Sequence, residues 1–438
     1  MDDGSCSGRA ETSTTPPRRR FADRRTRTKA GPGNVWSVRA GLKWGETLSL
    51  PLFALFLATF GIGTTEFSVV GLLPEIATDL GVSIPKAGLL VSGYAIGVAV
   101  GGPVLVILTA SLSRKVSLLL LVGVFVFGHV CSALAPSYGT LMAARILASV
   151  SHASFLGIAA VVAAGTVPPN RSARAVSMVW LGFSAASLFG VPAGTALGSA
   201  LGWRSTFWAI AAIGAISASA IAVWIPSGGK GERTNLAVEI RALVAPQVLL
   251  AMAMSLLVCA TAFSVFTFVA PLLATETSIS AAALPGMLFL FGVGGTVGLL
   301  SGGRLGDWRP MPAIIIMFVA QAALYLTFIA VIKIPALVGA VMIAWGFLFL
   351  APCVPLQTRV VMKASEGPNL ASTLNQSAFN VGNAVGPLAG AITLSSGVAF
   401  KWLPLLGAIL AMAGAGVGVF AFIVERRTTK QQPAKVRR

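Results

Sequence analysis

Twelve stretches of this 438-residue chain are each long and apolar enough to cross a bilayer as a helix, and no other feature limits the fold as tightly. They cover roughly residues 48 to 73, 86 to 109, 116 to 135, 138 to 166, 175 to 199, 204 to 225, 247 to 273, 282 to 303, 311 to 333, 335 to 361, 369 to 396 and 402 to 424. About 20 predominantly apolar residues suffice for a helical crossing. Hydrocarbon offers no water to satisfy backbone groups, so only helices and closed barrels can span it. Runs of helix length therefore predict an all-α membrane protein with twelve transmembrane helices. Only 11% of the residues are charged, where a soluble domain carries about a quarter.

Residues 226–246 form the only long polar loop, and they divide the apolar part into two nearly equal stretches. The expected organisation is an N-terminal six-helix bundle (47–225), a cytoplasmic linker (226–246) and a C-terminal six-helix bundle (247–424). Disordered basic residues 1–46 precede them and a second basic tail, 425–438, follows. The net charge of +18 belongs largely to those ends, since 10 of the 32 Lys and Arg precede residue 47 and 6 follow Val424. That distribution suits a membrane surface better than nucleic acid. The tail before the first run is too long and too polar to read as a cleavable signal peptide. With the N-terminus inside, the inner loops hold Arg114, Lys115, Arg171, Arg174, Lys230, Arg233, Arg241, Arg304, Arg309, Arg359 and Lys363, against Lys86, Arg204, Lys333 and Lys401 outside. The positive-inside bias thus places both termini in the cytoplasm.

The two halves echo each other. Gly182, Ala186, Gly190, Gly194 and Gly198 recur every four residues in the fifth run, and Gly382, Gly386 and Gly390 do so in the eleventh. Small residues at this spacing give a helix one face that another helix can approach closely. A ladder at the fifth position of each half implies a duplicated, pseudo-symmetric six-helix unit.

Of the 14 carboxylates, thirteen fall in tails or loops, and Glu66 alone falls inside a run. A charge in hydrocarbon costs at least ~2.5 kcal/mol, which makes an intramembrane acid a candidate functional group. Away from the run ends, the basic groups inside runs are His129, Arg145 and His152. Taking Leu73 and Tyr138 as helix ends, Glu66 and Arg145 each lie about 10 Å below the outer boundary, so a contact between them is geometrically possible, direct or through water, with Arg145 the charge partner of Glu66. His152, seven residues beyond Arg145, could extend a proton relay, whereas His129 reads as packing. Asn375, Gln376, Asn380 and Asn383 in the eleventh run either line a cavity or hold helices together, and Tyr94 joins them as a candidate cavity residue. The cysteines, Cys6, Cys131, Cys259 and Cys353, show neither disulfide nor metal-ligand spacing. No phosphate-binding loop, nucleophile elbow or metalloprotease helix is present, so neither an enzyme, a metal nor a cofactor is expected.

Gly63-Thr64-Thr65-Glu66-Phe67, running into Gly71-Leu72-Leu73-Pro74-Glu75-Ile76-Ala77-Thr78-Asp79-Leu80-Gly81-Val82, resembles the first-helix signature of the drug:proton antiporter branch of the major facilitator superfamily. Arg145 stands at the position of that branch's fourth-helix arginine. Gly190-Val191-Pro192-Ala193-Gly194 resembles its fifth-helix antiporter motif, and Gly303-Arg304-Leu305-Gly306-Asp307 its cytoplasmic loop motif. Together with His152-Ala153-Ser154-Phe155-Leu156-Gly157, the first-helix signature looks most like that of chloramphenicol-resistance exporters and arabinose-type efflux permeases. Two departures stand out: the first-half loop around Arg114 lacks the motif's aspartate, and Ser149 replaces a glycine after the fourth-helix arginine. The resemblance implies a bacterial inner-membrane protein that exports a small, neutral amphiphilic drug such as chloramphenicol in exchange for protons by alternating access. Efflux of a sugar or nucleoside is the alternative within this class, and a non-transporting receptor or scaffold the alternative outside it. The expected partners are a small-molecule substrate, protons and the bilayer, with no nucleic acid and the chain a monomer.

Overall fold

The computed structural model describes residues 50–109, 111–168, 171–227, 245–277, 279–364 and 368–431. The expectations for residues 1–46, for most of the 226–246 linker and for the last residues of the C-terminal tail lie outside them. The first half contains α1 (Leu50–Gly71), α2 (Leu73–Asp79), α3 (Ile84–Thr109), α4 (Arg114–Ala133), α5 (Tyr138–Ser149), α6 (His152–Gly165), α7 (Ser172–Ala185), α8 (Val191–Leu201) and α9 (Trp203–Trp224). The second contains α10 (Pro246–Phe266), α11 (Val269–Glu276), α12 (Leu284–Trp308), α13 (Pro310–Val331), α14 (Pro335–Leu350), α15 (Cys353–Lys363), α16 (Pro368–Ser395) and α17 (Leu403–Gln431). Eleven helical spans among the described residues are long and apolar enough to cross a membrane. The eleventh apolar run folds as the 28-residue α16; its length suffices, and its amides and serines make it the least apolar of the twelve. The last helix continues past residue 424 to Gln431.

Prolines explain why several spans consist of two helices. Pro74 lacks an N–H for the carbonyl four residues before it, and the helix breaks at Leu72 between α1 and α2. Pro271 does the same to the seventh span, which breaks at Thr267 and Phe268 between α10 and α11. The fourth span breaks after Ser149 and the tenth at Ala351–Pro352. In the fourth, the hydroxyls of Ser149 and Ser151 turn back to the carbonyls of Ile146 and Ala148, a habit that bends helices. In the fifth span, a π-turn over Ala186–Gly190 precedes Pro192. The first and fourth spans of each half are thus interrupted at matching places.

Helix packing repeats in the same way. Cβ atoms built on Gly190 and Gly194 would meet Thr64 and Ser68 of α1, and one on Gly198 would meet Leu72 just past its end, so the fifth-span ladder lies step for step along the first span. Gly382, Gly386 and Gly390 of α16 press in the same way on backbone atoms of Leu256, Ala260 and Ser264 in α10. Gly97 and Gly101 of α3 approach Ile146 and Val150 of the fourth span, and Gly294, Gly298 and Gly302 of α12 approach the carbonyls of Ile343, Phe347 and Ala351 of the tenth. Fifth on first and second on fourth is therefore the rule in both halves. The halves meet along two seams. In one, Ser92 of α3 donates to the Ala384 carbonyl of α16 (2.8 Å) and Ser377 to that of Ala99 (3.1 Å). In the other, Gly292 of α12 rests on the Ser187 carbonyl, and the hydroxyls of Ser184 and Thr296 are 3.2 Å apart.

Buried apolar side chains divide unequally. One core gathers the second half together with the part of the first half nearest Asp79, including Phe67, Leu73, Leu90, Leu141 and Phe207. A separate core, from Leu52 to Ile225, occupies the end of the first half nearest Arg114. Among the described residues the halves share a core from mid-depth out to the Asp79 face; at its inner edge Phe67 stacks on Phe263 with ring centroids 5.7 Å apart.

On that face α2 is tied to the start of α9. Gly202 takes the left-handed conformation (φ 85°) between α8 and α9, which only glycine adopts without strain. The turn presents Trp203 and Arg204, which donate to Asp79 Oδ2 at 3.1 and 2.6 Å. The Arg204 hydrogen bond, followed by that of the Trp203 indole, holds the Asp79 carboxyl below its ordinary value. A lowered carboxyl stabilises the fold above the unfolded value, about 3.9, and its contribution is lost as pH falls through the lower folded value. Asp79→Asn should therefore lower the unfolding temperature at pH 7, and the difference should vanish as pH falls through the lowered folded value. Both side chains are well exposed, so solvent screening limits the difference to about 1 kcal/mol. Gly294→Val should cost about 1–3 kcal/mol or more by wedging α12 from α14, while Gly123→Ala, whose added methyl meets nothing within 4 Å, should leave the melting temperature in detergent unchanged or raised.

Candidate functional site

Glu66 sits in the last third of α1, near the middle of the α1–α2 pair, 7% exposed, held in place by the glycine ladder behind it. Its carboxylate faces the second half, and Asn383 of α16 donates Nδ2–H to Oε1 at 3.0 Å. On the other side His152 Nε2 is 3.9 Å from Oε2, beyond a direct hydrogen bond and within ion-pair range. His152 Nδ1 lies 3.2 Å from the Tyr94 hydroxyl. With the imidazole proton on Nε2, towards the carboxylate, Nδ1 is free to accept from Tyr94. The Tyr94 ring in turn carries Arg145, whose guanidinium carbon is 4.7 Å from the ring centroid. One buried line of contacts therefore runs Arg145, Tyr94, His152, Glu66 and Asn383, drawing on spans four, two, four, one and eleven.

Glu66 and Arg145, whose depths allowed a contact, do not touch directly; this line of groups lies between them. Arg145 donates Nε–H to the Leu90 carbonyl at 3.3 Å and faces the Tyr94 and Phe207 rings. Its Nη1 and Nη2 have no hydrogen-bond partner, and it forms no ion pair with Glu66 among the described residues. Leu73 lies at the Pro74 break, but the helical path does not end there. It continues through α2 to Asp79, which places Glu66 about 20 Å below that end. His152 is about 21 Å from Tyr138 and Asn383 about 18 Å from Ser395, so these two share its level and Arg145 does not. Counting from Asp79 would have revealed both partners.

The other candidates distribute themselves clearly. Asn375 donates to Gln357 Oε1 of α15 at 2.6 Å, and so joins helices within the second half. Asn380 donates to the Gln376 carbonyl one turn earlier (3.0 Å). Asn380 and Asn383 each retain a buried Oδ1 without a partner. The ladder residues Gly182, Gly190, Gly194 and Gly198 abut α1, and Pro192 opens α8 beside them. Gly303 has open space around it and Arg304 is exposed, while the side chain of Asp307 lies outside what is described. His129 donates Nδ1–H to the Phe125 carbonyl (2.7 Å), leaving Nε2 to accept from Thr65 at 2.7 Å; a neutral ring satisfies both.

A second buried arginine escaped sequence reasoning. Arg359, assigned above to a loop, is 6% exposed and donates to Gln247 Oε1 (2.9 Å) and Glu425 Oε2 (2.8 Å). Lys363 pairs with the same carboxylate at 2.5 Å. This nest joins α10, α15 and α17 within the second half. Glu425, the residue immediately after the last apolar run, was the available signal.

Comparison with known proteins places this arrangement. A sequence model of the Major Facilitator Superfamily matches residues 55–387. The chain is 41% identical over 370 residues to the inner membrane transport protein YdhP of Escherichia coli, a match covering 83% of this chain and 94% of that one. It is 36% identical over 358 residues to the chloramphenicol resistance protein of Streptomyces lividans, covering 79% and 90% respectively. A solved D-xylose-proton symporter aligns with a TM-score of 0.67 at 14% identity, over 85% of this chain and 96% of that one, a likeness of fold. The protein is a multi-pass membrane transporter rather than an enzyme, and it belongs to the Major Facilitator Superfamily.

Proposed function

We propose that this transporter exports a small, neutral amphiphilic compound such as chloramphenicol in exchange for protons, with Glu66 carrying the proton. The observation that carries the reading is the Asn383–Glu66 hydrogen bond, because it joins the lone intramembrane carboxylate to the opposite half. In this reading residues 47–225 and 247–424 are the two bundles that rock, both termini are cytoplasmic, and the chain works as a monomer. An ionised Glu66 accepts from Asn383 and lies beside His152. Once protonated it becomes a donor and no longer attracts the amide as a charge does, so proton occupancy is linked to the contact between halves. A substrate inserted between α1 and α16 competes for the same amides, and the unpartnered Oδ1 atoms of Asn380 and Asn383 suit hydroxyl or amide donors on it. Tyr94 and His152 give the proton a path of titratable groups to and from the carboxylate, and Arg145 is the standing positive charge behind them. The 36% identity to a chloramphenicol resistance protein supports the choice of substrate.

In everted vesicles, chloramphenicol should dissipate an imposed proton gradient through the parent protein. Glu66→Gln should abolish that response while keeping the parent's melting profile. Normal exchange by Glu66→Gln would remove Glu66 from the coupling role, and a gradient untouched by chloramphenicol but collapsed by a sugar or nucleoside would reassign the substrate. Tyr94→Phe deletes the hydroxyl bonded to His152 and keeps the ring beneath Arg145, so it should cost about 0.5–1.5 kcal/mol of stability. Tyr94→Leu also removes the cation–π face and should cost about 2 kcal/mol more; both are read by thermal unfolding in detergent.

A further inference from the structure

Where the α3–α16 seam reaches the Asp79 face, it opens sideways into a groove of about 450 Å³. Leu89 on one helix and Leu388 and Ile392 on the other form its walls, and Lys86 stands at its mouth. The walls continue into bilayer-facing aliphatic stripes, marked by exposed Ile96 on α3 and exposed Val385 on α16. The mouth coincides with the start of α3 at Ile84 and the end of α16 at Ser395, the level at which spanning helices leave hydrocarbon. Among the described residues Lys86 has no carboxylate within ion-pair distance. Its ammonium lies 5.2 Å from the Tyr138 ring centroid, and the Tyr138 hydroxyl donates to the Lys86 carbonyl at 2.8 Å, which fixes the lysine backbone against the fourth span.

We propose that this groove holds one anionic phospholipid of the leaflet on the Asp79 face, its phosphate at Lys86 and an acyl chain between Leu89 and the Leu388–Ile392 wall. The groove is complementary to such a lipid: an aliphatic slot facing lipid, a cation at headgroup depth with no carboxylate partner among the described residues, and the Ser395 hydroxyl beside it able to donate to a phosphate oxygen. Each wall comes from a different half, so the bound lipid bridges the seam and favours the arrangement in which this face is shut. None of this depends on the identity of the exported compound or on proton coupling.

The test uses the full-length protein in detergent, titrated separately with phosphatidylglycerol and phosphatidylcholine, with thermal unfolding and native mass spectrometry as readouts. One lysine near an anionic headgroup contributes about 1 kcal/mol, so phosphatidylglycerol should bind about fivefold more tightly and raise the unfolding temperature saturably with one lipid retained. Lys86→Gln should erase the preference while keeping the parent's unfolding temperature without lipid. Ile392→Trp, which fills the slot, should lower retention of both lipids. Equal affinity of the parent for the two lipids would overturn the proposal, as would a preference that survives Lys86→Gln, which would place the anionic site elsewhere. Glycerol phosphate reproducing the full shift would also overturn it, because an ion site needs no acyl chain.

Discussion

Inside hydrocarbon, two helices gain nothing by hiding leucines from a solvent that is equally apolar, so association rests on how closely their backbones approach. Here glycine sets that distance at nearly every tight helix pair. The ladder on the fifth span fixes the helix that carries Glu66, and the ladder on the eleventh fixes α16, which carries Asn383. The two side chains meet across the middle of the protein because each backbone is already positioned by its own ladder. The site is thus a by-product of close packing in two copies of one unit.

That logic also shows what could be read before any coordinates. Helical spans, their number, the duplication and the lone carboxylate follow from run length and from residue types at fixed spacing, and those are local properties. The partner of Glu66 was not local. It depended on where the first helix leaves the membrane, and Pro74 hid this by breaking the helix without ending it. Tyr94 was legible as a residue of the central region and illegible as the link between Arg145 and His152, because that role requires the relative rotation of the second and fourth spans. Arg359 and Glu425 were misread for a similar reason: near the end of an apolar run, sequence cannot tell a charge in water from one folded back against a neighbouring helix.

The separation of Glu66 from Arg145 has a physical sense. A direct, well-hydrogen-bonded pair buried in low dielectric is strongly destabilised by loss of either charge, and a carboxylate locked in such a pair is a poor acceptor of a moving proton. Placing an aromatic ring and an imidazole between them keeps the positive charge near. The Tyr94 face offsets part of the cost of burying the guanidinium, and the carboxylate is left to polar groups that can change partners.

The lopsided core carries a consequence of another kind. Among the described residues the halves share buried apolar side chains from the mid-depth pair Phe67 and Phe263 out to the Asp79 face, so shutting that face draws on the hydrophobic effect more than shutting the other. This effect weakens on cooling, whereas the polar contacts along the seams do not share that dependence. An empty carrier of this construction holds its two faces with different temperature coefficients, and in the cold its tightness against leakage falls first on the aromatic side.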